Sequence, residues 1–243
     1  MTAEEKKLCA HRVFTHFYQI CQIPHGSGNE QALSDFLRGW ARNLGLEVTQ
    51  DACRNVWVRK PAYPGWESAP GVMLQAHMDM VCVKAPGVEH DFHKDPIEWV
   101  IEGNVLSTGG KTTLSADDGM GVALAMAVLE DPQLPHPALE VLFTTAEEDD
   151  FSGALGFDVS QMQSSYLINL DHTVAGGLVC GSCGGMQMDV RIPVPEQPIP
   201  EGWQAYRLSV GGLRGGHSGE DIHRGRGNAI VLLGRLLLEL EDC

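Results

Sequence analysis

Apolar positions along the chain change their period several times, and each change marks an element. Between residues 30 and 44, Leu33, Phe36, Leu37 and Trp40 recur at helical spacing and Gly45 supplies a stop; residues 8 to 20 carry the same spacing. The segment EVTQDACRNVWVRKP reads as two strands around a turn, closed by Pro61 and a loop rich in proline and glycine. Three continuous apolar runs follow, GVMLQA, ALEVLFTT and SYLINL, of the kind that suits strands buried on both faces. Between the first two lies ADDGMGVALAMAVLED, a helix-length apolar segment with an acidic start, where an aspartate is a favoured cap. Strands alternating with helices predict an α/β fold, a mainly parallel sheet flanked by helices.

The texture shifts near Met186. MDVRIPVPEQPIPEGWQAYRLSV reads as strand, proline-rich connection, strand, followed by the glycine-rich turn GGLRGGHSG. A last apolar helix carries Ile230, Leu233, Leu236, Leu237 and Leu240. The expected division is therefore a first domain over residues 1–186 and a second over 187–243. The 243 residues are 43% hydrophobic, enough for one large or two modest cores.

Charge narrows the partners. Seventeen Lys and Arg against 32 Asp and Glu give a formal charge of −15, which repels phosphate backbones and anionic membrane surfaces, so neither nucleic acid nor membrane is an expected partner. The N-terminus lacks the continuous apolar stretch of a secretory signal, and the longest apolar runs fall short of a bilayer span. Seven scattered cysteines suit a reducing compartment, so a cytoplasmic location is expected. The single C-x-x-C, Cys180 to Cys183, is half a motif and reads as structural rather than as a zinc or redox pair.

The chemistry gathers where the apolar runs end. GVMLQA runs into His77 and Asp79, ALEVLFTTA into Glu147 and Glu148, and SYLINL into Asp171, while Asp117 and Asp118 open the intervening helix. In an open α/β sheet the carboxyl ends of the strands line the ligand crevice. Taken singly, Asp117 is explained as a cap and Glu147 to Asp150 as a solvated acidic turn. Taken together, a histidine among carboxylates needs a compensating cation, and this is a ligand set for zinc or a similar divalent ion. With at least four candidate ligands, two ions sharing a bridging carboxylate are expected.

HMDM, LSADDGMG, TTAEED and LINLD, in this order and spacing, resemble the di-zinc metallopeptidase family of aminoacylases, carboxypeptidases and dipeptidases, and within it the aminoacyl-histidine dipeptidase branch. CQIPHGSGNE, HDFHKDPI, GSCGG and GLRGGHSGEDIHRGRGNA extend the similarity over nearly the whole chain. The resemblance implies an α/β catalytic domain with an inserted α+β lid, and metal-dependent hydrolysis of dipeptides, Xaa-His or broader. It implies His77, Asp117, Glu148 and Asp171 as metal ligands, Asp79 as the residue orienting His77, and Glu147 as general base. It further implies His217 as a substrate-binding histidine of the lid, and two divalent ions, zinc first, with cobalt or manganese as alternatives. The implied partners are a small peptide and, through the lid of a full-length protein, a second copy.

The resemblance covers the first half of such a protein and stops before a further C-terminal histidine ligand. The chain is therefore expected to be truncated, with an incomplete second metal site and weak or absent activity. Alternatives are an N-acyl amino acid amidohydrolase of the same family and a non-catalytic metal-binding remnant.

Overall fold

In the computed structural model, residues 2–174, 176–182, 184, 188–216, 219 and 221–241 are described. The chain divides into two compact units, Met1–Val179 and Cys180–Cys243. The expected boundary near residue 186 falls on residues outside those described.

The first unit opens with α1 (Ala3–Leu8), a short helix closed by a Thr2–Glu5 capping box, then α2 (Arg12–Cys21) and α3 (Gln31–Asn43). Gly45, at φ +73°, takes the left-handed position after α3 that favours glycine. The predicted hairpin forms as β1 (Glu47–Gln50) and β2 (Val56–Lys60), and the first apolar run forms β3 (Val72–His77). A small hairpin, β4 (Val100–Glu102) with β5 (Val105–Ser107), precedes α4 (Ala116–Glu130). The unit continues through β6 (Leu139–Thr144), α5 (Ser152–Gly156) and β7 (Tyr166–Asn169).

Five of these strands make one sheet in the order β1-β2-β6-β3-β7. The three apolar runs pair in parallel, with β3 between β6 and β7. The β1–β2 hairpin extends the sheet antiparallel to β6, so the sheet is mixed around a parallel centre.

Period-two alternation sorts the side chains of the sheet. Val56, Val58, Leu74, Ala76, Val141 and Phe143 join the main core with Phe17 and Ile20 of α2, Leu33 and Leu37 of α3, and Val122 and Met126 of α4. Trp57, Met73 and Leu142 point to the other face, where Phe157 and Met162 pack on them. Each fully buried aliphatic or aromatic side chain contributes about 1.5–3 kcal/mol. Most residues of α4 are buried, which explains its lack of a polar stripe: it packs on α2 and on β3.

In the second unit the last helix forms as expected, as α6 (Ala229–Glu241), after a short 3-10 turn at Ile222–Arg224. The two strands expected between residues 188 and 210 do not form: among the described residues of that stretch none is in a strand. Short strands hold only when a neighbour pairs with them, and the apolar pattern there is not paired. No described helix is long and apolar enough to cross a membrane. Cys9, Cys21, Cys53, Cys82 and Cys180 are free thiols; Cys183, the other half of the C-x-x-C, lies outside the described residues.

Candidate metal centre

Parallel register brings the three strand ends side by side, with His77 opposite Thr144 and Gln75 opposite Asn169. His77 is the last residue of the middle strand, Glu147 and Glu148 lie in the turn after β6, and Asp171 lies two residues past β7. The candidate residues read from the sequence thus converge, except His217, which lies outside the described residues.

The His77 ring is the hub. Its Nδ1 donates to the Asp79 carbonyl at 3.0 Å and lies 3.3 Å from the Asp79 carboxylate. Its Nε2 points the other way, 3.0 Å from Asp117 Oδ1 and 3.9 Å from both Glu147 Oε2 and Asp171 Oδ2. Two triads of potential ligand atoms lie within 4.8 Å of one another: His77, Asp117 and Glu148, and His77, Glu147 and Asp171. In the first Glu148 stands with His77 and Asp117, and in the second Glu147 stands with His77 and Asp171.

Electrostatics follow from this crowding. Burial opposes the charged His77 ring, but Asp117, Asp79 and Asp118 outweigh it and push its pKa up to about 11. Burial raises the Glu147, Glu148 and Asp171 carboxyls, and neighbouring carboxylates add to it, with His77 opposing. The metal-free ring therefore keeps a proton on Nε2, in the place where several carboxylates meet. A divalent cation fits that place, since it would replace the Nε2 proton and neutralise the surrounding carboxylates.

Asp79 and Asp118 act from behind. Asp79 is fully buried and accepts from Ser27 Oγ at 2.8 Å and from the backbone N–H groups of Glu147 and Glu148 at 3.0 and 3.1 Å. Burial opposes its charge, but these bonds and His77 hold its pKa at about 2. Asp118 accepts from the His77 N–H at 3.1 Å and from Gly121 N–H at 3.2 Å. The helix cap is therefore Asp118, not Asp117: both have non-helical backbone, and Asp117 is left to face His77. Burial, aided by Asp171 and Asp117, raises the Asp118 carboxyl to about 7.

The sequence reading passed over the residues that tie these loops together. Glu30 Oε1 accepts from Gly28 N–H and Ala146 N–H, both at 3.1 Å. Asn55 Oδ1 accepts from Thr145 N–H at 3.2 Å, and its amide donates to the Gly153 carbonyl at 2.8 Å. For Glu30 the available signal was the density of polar and glycine residues just after α2. Beside the centre a cavity of about 320 Å³ is lined by His77, Glu147 and Asp171 at its polar end and by Met73, Phe151 and Leu167 elsewhere.

No family model matches the chain. It is 41% identical over 97% of its length to the cytosol non-specific dipeptidase of Escherichia coli K12, covering 48% of that protein. The aminoacylhistidine dipeptidase of Vibrio alginolyticus superposes on 93% of the chain with a TM-score of 0.67 at 35% identity, again over 46% of the longer chain. The aminopeptidase PepT of Bacillus cereus superposes on 66% of the chain with a TM-score of 0.56 and 26% identity, over 43% of its own length. The chain spans about half the length of the relatives it matches. Identity of 41% over nearly all of the chain, a shared fold and a histidine–carboxylate cluster at the strand ends make the chain similar to the first half of the cytosol non-specific and aminoacylhistidine dipeptidases.

Proposed function

We propose that the chain carries the metal centre of a dipeptidase acting on Xaa-His or a broader range of dipeptides. The observation that supports it is His77 Nε2, aimed at Asp117, Glu147 and Asp171 within 3.9 Å, in a chain 41% identical to a dipeptidase. His77, Asp117, Glu148 and Asp171 hold two divalent ions, zinc first, with cobalt or manganese able to serve. Bound there, such ions supply Lewis acidity toward a water and toward the scissile carbonyl.

The chain's own residues do the rest. Asp79 fixes the His77 ring through Nδ1, leaving Nε2 free to bind. Glu147, its carboxyl raised by burial and by Glu148, takes a proton from the attacking water and delivers it to the leaving amine. Residues 187–243 begin a lid, whose His217 contacts substrate and through which a full-length protein pairs with a second copy in the cytoplasm.

Metal content by elemental analysis, followed by a panel of dipeptides and N-acetyl amino acids, tests the reading. Hydrolysis of dipeptides by the metal-loaded full-length protein is expected. Turnover confined to N-acetyl amino acids would assign the amidohydrolase instead, and bound metal without turnover of either would leave a binding remnant.

A further inference from the structure

His25 belongs to none of the groups above, yet it is buried to 1% exposure close to them. Its Nδ1 faces the Ile23 carbonyl, an acceptor only, so Nδ1 carries the proton. Burial lowers its pKa, outweighing the nearby Asp79 carboxylate, and the ring is neutral. Nε2 is therefore an acceptor, and the Ser115 hydroxyl donates to it at 2.6 Å.

Ser115 is where the chain turns into α4. It is 4% exposed and holds φ +66°, in the left-handed region that a non-glycine residue seldom enters without outside support. Its carbonyl accepts Gly119 N–H at 3.0 Å, so Ala116, Asp117 and Asp118 are enclosed in the turn. Asp118 anchors the far end of that turn to the His77 N–H, and His25 anchors the near end. Between the anchors, Asp117 is presented to His77 Nε2 at 3.0 Å.

The backbone around His25 is fixed to the same centre. Its carbonyl accepts Met80 N–H at 3.2 Å, Ser27 N–H donates to the Met80 carbonyl at 3.3 Å, and Ser27 Oγ reaches Asp79. The imidazole thus spans from the segment that follows β3 to the segment that precedes α4. The first carries Asp79 behind His77, and the second leads into the turn that carries Asp117 in front of it.

We propose that His25 is a positioning residue of the metal centre, holding the Ser115 hydroxyl at Nε2 and through it the turn that presents Asp117. The inference rests on the metal reading above. Loss of such an outer contact weakens metal binding by about ten- to a hundredfold.

Asparagine and glutamine at position 25 separate the two ring contacts. An asparagine amide nitrogen lies near the place of Nδ1 and keeps the Ile23 bond, whereas a glutamine amide oxygen lies near the place of Nε2 and keeps the Ser115 bond. Zinc affinity of the purified chain is measured by calorimetry for His25→Asn, His25→Gln, Ser115→Ala and the His25→Asn/Ser115→Ala pair, with thermal unfolding of each metal-free variant alongside. Expected are losses of about ten- to a hundredfold for His25→Asn and for Ser115→Ala, no further loss in the double variant, and recovery in His25→Gln. Unchanged zinc affinity in Ser115→Ala and His25→Asn, or losses that add in the pair, would overturn the inference while leaving the metal reading intact. A role in stability alone would lower the unfolding temperatures without moving zinc affinity, and that too overturns it. If the His25 variants do not fold, Ser115→Ala decides, since it removes a single hydroxyl. An unmodified chain that binds no zinc would overturn the metal reading and this inference together.

Discussion

Asp79 accepts the backbone N–H of Glu147 at 3.0 Å, so the carboxylate that faces the His77 ring also fixes the turn bearing both glutamates. Its folded pKa of about 2 lies below the unfolded value, so its contribution to stability is complete above about pH 4 and is lost as pH falls through about 2. Urea unfolding of the metal-free chain between those limits should show a slope that Asp79→Asn flattens. Parallel curves for the two proteins would remove Asp79 from the acid transition.

Metal binding should release protons. The His77 ring has its pKa raised to about 11 and is charged at neutral pH, and zinc must displace the Nε2 proton. Zinc affinity is therefore expected to rise with pH through neutrality, because the ion competes with an Nε2 proton on a ring whose pKa stands well above it. Calorimetry in buffers of different ionisation enthalpy should register at least about one proton released per zinc. A binding enthalpy independent of buffer would contradict the assignment of Nε2.

Adjacent glutamates should separate by role. In a full-length protein, Glu147→Gln is expected to lower dipeptide hydrolysis by about 10²- to 10⁴-fold with metal content nearly kept, whereas Glu148→Gln should lower metal occupancy. Because Glu147 shares a triad with His77 and Asp171, a fall in metal content in Glu147→Gln would make it a ligand rather than a base.

Asn55 is the most economical place to loosen the glutamate loop without touching the centre. Asn55→Ala removes its bonds to Thr145 N–H, the Gly153 carbonyl and Asp51, leaving a buried N–H unpaired. A loss of about 1–3 kcal/mol in urea unfolding is expected. A change within error would mean that the loop finds other partners.

Much of this architecture is written in short-range pattern. Leu33 and Leu37 at helical spacing are fully buried, and the three apolar runs are the three parallel strands, because burial on both faces leaves little choice of residue. The convergence of His77, Asp117, Glu147, Glu148 and Asp171 was legible for the same reason: strand ends in a parallel sheet share one edge. What was not legible depends on contacts distant in sequence. Ser115 and His25 are 90 residues apart, and neither carries a local mark of the bond between them. The exchange of capping from Asp117 to Asp118 turns on the His77 N–H, which no pattern within the helix encodes. Residues 188–210 carry strand-like alternation without a partner, and alternation alone does not hold a strand.

The order of strands sets how the centre breathes. His77 ends β3, which has a hydrogen-bonded strand on each side, whereas Asp171 follows β7, which pairs only with β3 among the described strands and whose four residues are all exposed. Local opening is cheapest where few buried contacts resist it. Amides of β7 should therefore exchange with solvent deuterium well before those of β3. The same fraying would carry Asp171 away while His77 stays in place. On the proposed metal reading, ion entry and escape would then have a direction: the cluster loosens from its Asp171 side, and the imidazole would be the last group to let go.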